Sequence, residues 1–408
     1  MKRGVNVQIL DDLRAGVVVD LLDPDFYAGD PEPVYEWLRA NAPVYRDSNG
    51  LWCVTRHADL QHVEKESGRY TSIHGTRPLI DMTSDHSIIN LDDPRHVTQR
   101  RLVQRRFTPA VVRSHAEHVR EIAVGLVNGV RSRGHVEVVS ELASVLPAIV
   151  ICELLGFDRS RWEDCRRWAA DTLSAGSLKM GDPRMADFGT ALVEFVAATS
   201  DLIALRRDYP RDDLISVWAH STVDAEPMSD KTILEEALLL LDGGAETSRN
   251  VIAGGVLALL QNPDQLQLVR EDPSLLERSG VEELIRWVTP ILNMSRTATQ
   301  NHELHGQLIA KGDSLLLMYS AANRDAGAFA DPQMLDLRRG SNHHVAFGYG
   351  THYCLGANLA RFEIRVMIEE ILSLPGLRLT PGVSPSFVPS FFTRGLAALH
   401  LDFEPETV

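Results

Sequence analysis

A single cysteine, Cys354, lies in the part of the sequence with the strongest chemical signal. Glycines stand before it at Gly348 and Gly350 and after it at Gly356, within FGYGTHYCLG. Glycine permits a tight loop and lets the backbone approach a flat ligand closely. A helix is predicted over residues 355–373, and the N-terminus of a helix lowers the pKa of a nearby thiol. A thiolate held in this way can ligate iron and donate electron density to it.

Two other interpretations apply to cysteines. A free cysteine is commonly a small hydrophobic residue of the core, and this is what we expect for Cys53, Cys152 and Cys165. A nucleophilic cysteine needs a base such as histidine, and His352 is two residues from Cys354. Residues so close on a tight loop rarely turn their side chains toward each other, so His352 is a poor base for Cys354. The glycines around Cys354 therefore favour iron ligation over a nucleophilic role.

A second pattern lies within a long predicted helix, over residues 229–261. Two adjacent glycines, Gly243 and Gly244, are followed by Glu246 and Thr247. Each glycine costs a helix about 1 kcal/mol relative to alanine, so the pair requires an explanation. One explanation is a notch for packing against a neighbouring helix, and the other is a local opening beside a ligand.

A third pattern is an acid and a base, Glu283 and Arg286, at positions i and i+3 of a predicted helix. Such pairs are common on solvated helix faces. Apolar residues surround this one, so we expect the helix to be buried on most sides. A buried ion pair is costly unless further hydrogen bonds satisfy both partners.

The elements that must position these residues are mostly helical. Further helices are predicted over residues 112–131, 136–155, 187–207 and 275–288, and short strands over residues 51–55, 293–299 and 315–319. Residues 323–351 show little apolar periodicity, and a long irregular stretch inside a compact domain is usually functional. Because no repeat or linker divides the chain, we expect one domain over residues 1–408, mainly α with a minor β part.

Composition restricts the partners of the protein. The 408 residues carry a formal net charge of -15, which repels the phosphates of nucleic acids. The four cysteines are scattered, which argues against a disulfide framework or structural zinc and favours a reducing, cytoplasmic location. Residues 1–20 lack a signal-peptide pattern, and the most apolar stretch, residues 142–157, is too short to span a bilayer. We therefore expect a soluble monomer without a membrane anchor.

The cysteine loop resembles the haem-binding loop of the cytochromes P450, because the family pattern FGxGxHxCxG is matched at every fixed position. The resemblance covers nearly the whole chain, from about residue 23 onward. It implies the P450 fold, a triangular prism with a long central helix over the haem, and haem b as the cofactor. Cys354 would be the axial ligand of the iron, in a loop framed by Phe347, Gly348 and Gly356.

The resemblance also assigns roles to the other two patterns. Gly243, Gly244, Glu246 and Thr247 match the oxygen-activation motif of the family, in which the glycines open space over the haem. Thr247 would then hold oxygen, and Glu246 would pass protons to it through water.

The ion pair and four scattered cations also match family positions. Glu283 and Arg286 would be joined by Arg339 in a hydrogen-bonded trio that locks the cysteine loop. The two carboxylates of the haem need cationic partners, and the resemblance implies that these are His96, Arg100, Arg296 and His352.

The activity implied is that of a monooxygenase that hydroxylates a hydrophobic small molecule, such as a steroid, a terpenoid or a branched lipid. Its electrons would come from a ferredoxin and a ferredoxin reductase, because the chain is too short to include a reductase domain. The basic cluster over residues 100–106 is either a docking patch for the ferredoxin or a solvated face. Two other functions stay open, a peroxide-driven peroxygenase and a non-catalytic haem or gas-binding protein.

The substrate pocket is expected to be mostly apolar, with few charges. By family position, its walls would come from residues 73–89, 172–185, 239–243, 291–294 and 391–392.

Overall fold

The computed structural model describes residues 4–178 and 182–406, and helices dominate it. In chain order the helices are α1 (Val5–Arg14), α2 (Pro24–Ala28), α3 (Glu32–Asn41), α4 (His57–Lys65), α5 (Arg95–Val103), α6 (Pro109–Ser114), α7 (Ala116–Asn128), α8 (Val145–Leu155), α9 (Trp162–Ser174), α10 (Arg184–Asp208), α11 (Leu214–Ala219), α12 (Asp230–Gln261), α13 (Pro263–Glu271), α14 (Val281–Val288), α15 (Tyr319–Ala322) and α16 (Ala357–Leu372).

The strands are short. In chain order they are β1 (Val44–Arg46), β2 (Trp52–Val54), β3 (Tyr70–Thr71), β4 (His135–Glu137), β5 (Thr222–Val223), β6 (Glu226–Pro227), β7 (Asn293–Ala298), β8 (His302–Leu304), β9 (Gln307–Ile309), β10 (Ser314–Met318), β11 (Arg378–Leu379), β12 (Ser386–Phe387), β13 (Leu396–Ala398) and β14 (His400–Asp402).

The central element is α12, a helix of 32 residues that is about 48 Å long at the usual rise per residue. Its start is fixed by Ser229, whose hydroxyl accepts a hydrogen bond from the N–H of Thr232 at 3.1 Å. It packs against α8, α9, α14 and α16, and apolar residues of α7, α8, α12, α14 and α16 share one buried cluster. The helix predicted over residues 229–261 is therefore confirmed, and it lies at the centre of the molecule.

The largest sheet has five strands in the order β1-β2-β10-β7-β3. Strands β2 and β10 are parallel, whereas the other neighbours are antiparallel. A second sheet, in the order β11-β14-β4, joins residues 135–137 to the C-terminal part of the chain. The strands predicted over residues 51–55, 293–299 and 315–319 are confirmed as β2, β7 and β10.

Several predicted helices are divided in the structure. The stretch over residues 136–155 contains strand β4, a π-helical segment (Val139–Ala143) and α8. The stretch over residues 112–131 is split into α6 and α7 at His115. Strand β4 pairs with β14, which is more than 250 residues away in the sequence, so no local pattern could have revealed it.

Helix α10 is long and apolar enough, by length and composition, to cross a bilayer, which the sequence analysis missed. Its buried residues Ala191, Phe195, Thr199, Leu202 and Ile203 recur at helical spacing, and the helix packs against α9 and α11. That periodic burial is typical of a helix packed on one side of a soluble core, so the helix is weak support for a membrane span.

Candidate functional site

Glycine geometry shapes the loop that carries Cys354. A short 3-10 turn (Gly350–His352) precedes the cysteine, and the N–H of Cys354 donates to the carbonyl of Phe347 at 2.8 Å. Gly348 and Gly350 have φ angles of 70° and 69°, in the left-handed region that favours glycine. A Cβ atom on Gly350 would lie 2.6 Å from the carbonyl oxygen of Glu64. The loop therefore requires these glycines, as the sequence predicted.

The N–H groups at the start of the following helix act to lower the pKa of the Cys354 thiol, as expected, but burial has the larger effect in the protein chain alone. Burial raises the pKa of Cys354 above its usual value, although the N–H of Gly356, the guanidinium groups of Arg100 and Arg361, and the N–H of Ala357 favour the thiolate. Desolvation outweighs these effects. A thiol bound to a metal ion is deprotonated outright. Binding of the iron would therefore convert the Cys354 thiol to the thiolate.

Glu283, Arg286 and Arg339 meet as one buried network. Arg286 donates to both carboxylate oxygens of Glu283, with both distances 2.7 Å, and each side chain is 0% exposed. Arg339 donates to Glu283 at 3.1 Å, and so does Asn342 at 3.0 Å, which the sequence analysis did not single out. The remaining donors of Arg286 reach carbonyls of the irregular segment before the cysteine loop, at Asn323, Pro332 and Met334.

A second ion network touches the loop, and the sequence analysis missed it. Glu282 pairs with Arg361 of α16 and with His344 at 3.0 Å. Burial acts to raise the pKa of Glu282, but hydrogen bonds from His344 and Arg361 lower it to about 2. The guanidinium of Arg361 lies 4.5 Å from the ring centre of Phe347. The Glu282–Arg361 pair therefore holds the ring of Phe347, the residue predicted to contact the haem.

The four residues assigned to the haem carboxylates are close to the cysteine loop. The rings of His96 and His352 are 4.3 Å apart, and Arg100 donates to the carbonyl of Tyr353 at 2.6 Å. Burial, followed by the charges of Arg296, His96 and Arg100, lowers the pKa of His352 to about 2. A cluster in which cationic groups repel one another favours an anionic partner.

One buried atom in this cluster lacks a partner. Nε2 of His96 is buried and makes no hydrogen bond to any described residue, whereas Nδ1 lies 3.1 Å from both Asp93 and Thr351. A buried polar nitrogen without a partner is costly, so it points to a ligand oxygen. Added Cβ atoms on Gly243 and Gly356 would meet none of the described atoms within 4 Å outside their own neighbours and helix. These residues therefore fit a flat, dianionic, iron-bearing group such as haem.

The two glycines of α12 differ from each other. A Cβ atom on Gly244 would lie 3.0 Å from Cγ1 of Ile151 in α8. Of the two explanations that the sequence allowed, packing against a neighbouring helix therefore applies to Gly244. This contact does not support the role predicted for Gly244 beside the cofactor. Gly243 faces open space, as expected of a glycine that makes room for a ligand.

Glu246 and Thr247 follow these glycines on α12, which continues without a break. The hydroxyl of Thr247 donates to the carbonyl of Gly243 at 2.6 Å. Glu246 is buried and pairs with Arg249, which also donates to the carbonyl of Leu396 at 3.2 Å. The acid and the hydroxyl are thus adjacent on α12, one turn beyond the open glycine.

Three of the segments expected to line the substrate pocket meet at one ion pair, and the expectation of a mostly apolar wall with few charges stays a prediction. Arg77 donates to Asp242 at 3.1 Å, and Asp242 also accepts from the hydroxyl of Thr172 at 2.6 Å. The guanidinium of Arg77 lies 5.4 Å from the ring centre of Phe392. Of the predicted segment 172–185, residues 179–181 lie outside the described residues.

Comparison with known proteins agrees with this geometry. The family model of the cytochromes P450 matches residues 191–394. A steroid C26-monooxygenase of Mycobacterium tuberculosis is 37% identical over 393 residues, which are 95% of this chain and 97% of that protein. The chain therefore belongs to the cytochrome P450 family: it has the P450 fold, it is a monooxygenase, and haem b is its cofactor.

Other relatives extend the comparison. A methyl-branched lipid omega-hydroxylase of Mycobacterium tuberculosis is 36% identical, over 90% of this chain and 87% of that protein. Among solved structures, a Mycobacterium marinum P450 in complex with pseudoionone has a TM-score of 0.87 and 31% identity, over 94% of this chain and 98% of that chain. Such relatives show a P450 monooxygenase that acts on hydrophobic substrates.

Proposed function

We propose that this monooxygenase hydroxylates a steroid, terpenoid or branched lipid, with Cys354 as the iron ligand and Glu246 and Thr247 as the proton-handling residues. Three features carry the proposal. They are a glycine-framed cysteine just before α16, a cation cluster with an unpartnered buried nitrogen on His96, and an acid–threonine pair on α12, the helix that packs against α16.

Haem b, when bound, supplies oxygen activation and hydroxylation. The protein must hold it, keep its orientation and deliver protons. The guanidinium groups of Arg100 and Arg296 would pair with the two carboxylates of the haem, and the rings of His96 and His352 would donate hydrogen bonds to them. The Glu283 network and the Glu282 network both tie residues around the loop of Cys354 to α14, which would fix the position of the sulfur.

Proton handling falls to Glu246 and Thr247. Because the hydroxyl of Thr247 donates to the carbonyl of Gly243, its lone pairs can accept a hydrogen bond from a water or another proton donor and hold that donor in position beside α12. Arg249 holds the carboxylate of Glu246 in a buried ion pair. Proton transfer through Glu246 therefore requires this pair to open, and we expect the movement of Arg249 to accompany turnover.

Two spectroscopic and kinetic tests address these roles. The ferrous–CO complex should show the red-shifted Soret band of thiolate ligation, and Cys354→Ala should lose it while Cys165→Ala, a buried core variant, keeps it. Thr247→Ala should consume more reducing equivalents for each product formed and release more peroxide. A Thr247→Ala variant with unchanged coupling refutes the proton role and revives the peroxygenase alternative.

The substrate class rests on two of the relatives, a steroid C26-monooxygenase and a methyl-branched lipid omega-hydroxylase. Steroids and branched lipids share bulky apolar skeletons, and hydrophobic pockets bind such molecules by burial of apolar area. A ligand screen by the spin-state shift of the haem absorption band would test this. Binding of straight-chain fatty acids in preference to steroids, terpenoids and branched lipids would contradict the proposal.

Electrons are proposed to come from an acidic ferredoxin and its reductase. Arg101 and Arg105 are exposed, whereas Arg106 pairs with Asp212 at 2.6 Å and so offers less positive charge. Arg105→Glu should slow electron transfer at low salt, because exposed charges steer encounter. Arg270→Glu, an exposed arginine on α13, is the matched control, and equal rates for the two variants would contradict the docking role.

The same proposal includes the organisation of the protein. We take residues 1–408 as a single P450 domain that is monomeric and lies in the cytoplasm, and that is soluble, as bacterial relatives are. Sedimentation of the haem-loaded protein in the absence of detergent tests both points at once. A dimer, or a requirement for detergent, would refute the corresponding statement.

A further inference from the structure

Helix α4 supports the segment before Cys354 at both of its ends. At its N-terminus, a ring nitrogen of His57 lies 2.8 Å from the carbonyl of His343, and the His57 N–H donates to Asp325 at 2.9 Å. At its C-terminus, the carbonyl of Glu64 lies against Gly350. Neither the Glu283 network nor the Glu282 network includes this helix, so α4 is a separate support for the cysteine loop.

Glu64 brings a carboxylate to the centre of this support. It is 4% exposed, and its Oε1 accepts from the hydroxyl of Tyr319 at 2.6 Å and from Nη2 of Arg296 at 3.2 Å. A Cβ atom on Gly348 would lie 3.5 Å from the same oxygen. The carboxylate therefore lies directly behind the glycine of the cysteine loop and beside a cation assigned to the haem.

The single positive charge of Arg296 cannot neutralise both the carboxylate of Glu64 and a carboxylate of the haem. Arg296 is paired with Glu64, and it is also the residue proposed for a haem carboxylate, so two anions share one buried guanidinium. Burial raises the pKa of Glu64, whereas Arg296, the hydroxyl of Tyr319 and the N–H of Tyr349 act to lower it. A purely structural contact to Gly348 needs no charge, and burial of an acid is costly.

We infer that Glu64 is a positioning residue of the haem site: it fixes Arg296 and holds a negative charge behind the cysteine loop, which lowers the reduction potential of the haem. A nearby negative charge stabilises the more positive, oxidised state of the iron, and the low local dielectric strengthens the effect. Groups outside the ligand sphere commonly tune metal sites in this way. The inference rests on the proposed assignment of Arg296 to the haem.

The test is a spectroelectrochemical titration of the haem-loaded protein at mildly alkaline pH. Glu64→Gln keeps the shape and removes the charge, so its midpoint potential should shift to more positive values than that of the wild type. Glu64→Asp keeps the charge and should restore the wild-type value. Glu66→Gln makes the same charge change at an exposed position just beyond α4 and should leave the potential unchanged.

A second variant tests the opposite sign. Tyr319→Phe removes a hydrogen-bond donor from Glu64, so at a pH high enough to keep the carboxylate ionised its potential should shift to more negative values. This variant decides the matter if Glu64→Gln is isolated without haem. Unchanged potentials, or equal shifts in Glu64→Gln and Glu66→Gln, overturn the inference. A wild-type protein without the thiolate CO band refutes the proposed site and this inference with it, whereas a normal band with unchanged potentials refutes this inference alone.

Discussion

Glu283→Gln is the sharpest test of how the cysteine loop is held. The carboxylate of Glu283 accepts from Arg286 twice, from Arg339, from Asn342 and from the N–H of Asp336 at 2.9 Å. A glutamine keeps one acceptor oxygen and turns an NH2 group toward the other donors. It also leaves the guanidinium of Arg286, which is 0% exposed, without its counter-charge. Removal of one partner of a buried pair costs about 3–5 kcal/mol.

That cost is a large part of a total stability of about 5–15 kcal/mol, and it falls on the segment that precedes the cysteine loop. We therefore expect Glu283→Gln to be purified with little haem and to unfold at lower denaturant concentration. The ratio of Soret to protein absorbance measures haem content, and denaturant unfolding followed by circular dichroism measures stability.

The matched control is Glu277→Gln. Its side chain is 68% exposed and pairs with Arg365, and an exposed pair contributes about 0–1 kcal/mol. Glu277→Gln should therefore keep its haem and nearly all of its stability. A Glu283→Gln variant with wild-type haem content and a free energy of unfolding within about 1 kcal/mol of the wild type would refute the reasoning.

Three further predictions follow from other parts of the site. Gly244→Ala should lower the free energy of unfolding by about 1–3 kcal/mol through overpacking against α8, whereas Gly243→Ala should not; equal losses would contradict the difference between the two glycines. Burial raises the pKa of Glu363 to about 8, so the folded chain keeps a proton that the unfolded chain releases above its ordinary pKa of about 4.5, and stability contributed by this group falls as pH rises between these values. Glu363→Gln should flatten that fall in denaturant titrations across the same pH range, and parallel curves would contradict it. Arg77→Met leaves Asp242 without its partner, so hydrogen exchange over residues 73–89 should accelerate relative to Arg77→Lys; equal protection would show that the pair does not hold that segment.

The sequence predicted the central helix and the sheet strands because their patterns are local. Ser229 caps α12 by a contact three residues away, and the buried positions of α12 recur at helical spacing. The cysteine loop was predicted for a similar reason, since its glycines act on their own backbone angles. By contrast, strand β4 depends on β14, and Asn342 reaches Glu283 across 59 residues. Contacts of this range leave no periodic pattern.

Helix α4, which lies beside the cation cluster, shows a different reason for failure. Its buried side chains include His57 and Glu64. Because its buried face is partly polar, apolar periodicity is weak there, and α4 was not predicted at all. The family resemblance supplied His96, but nothing in the sequence alone distinguished Glu64 from an exposed acid. Only its contacts with Arg296, Tyr319 and Gly348 do so. Burial of acids and imidazoles lowers the stability of the fold, so a helix that buries them beside a cofactor site indicates a functional role for those side chains.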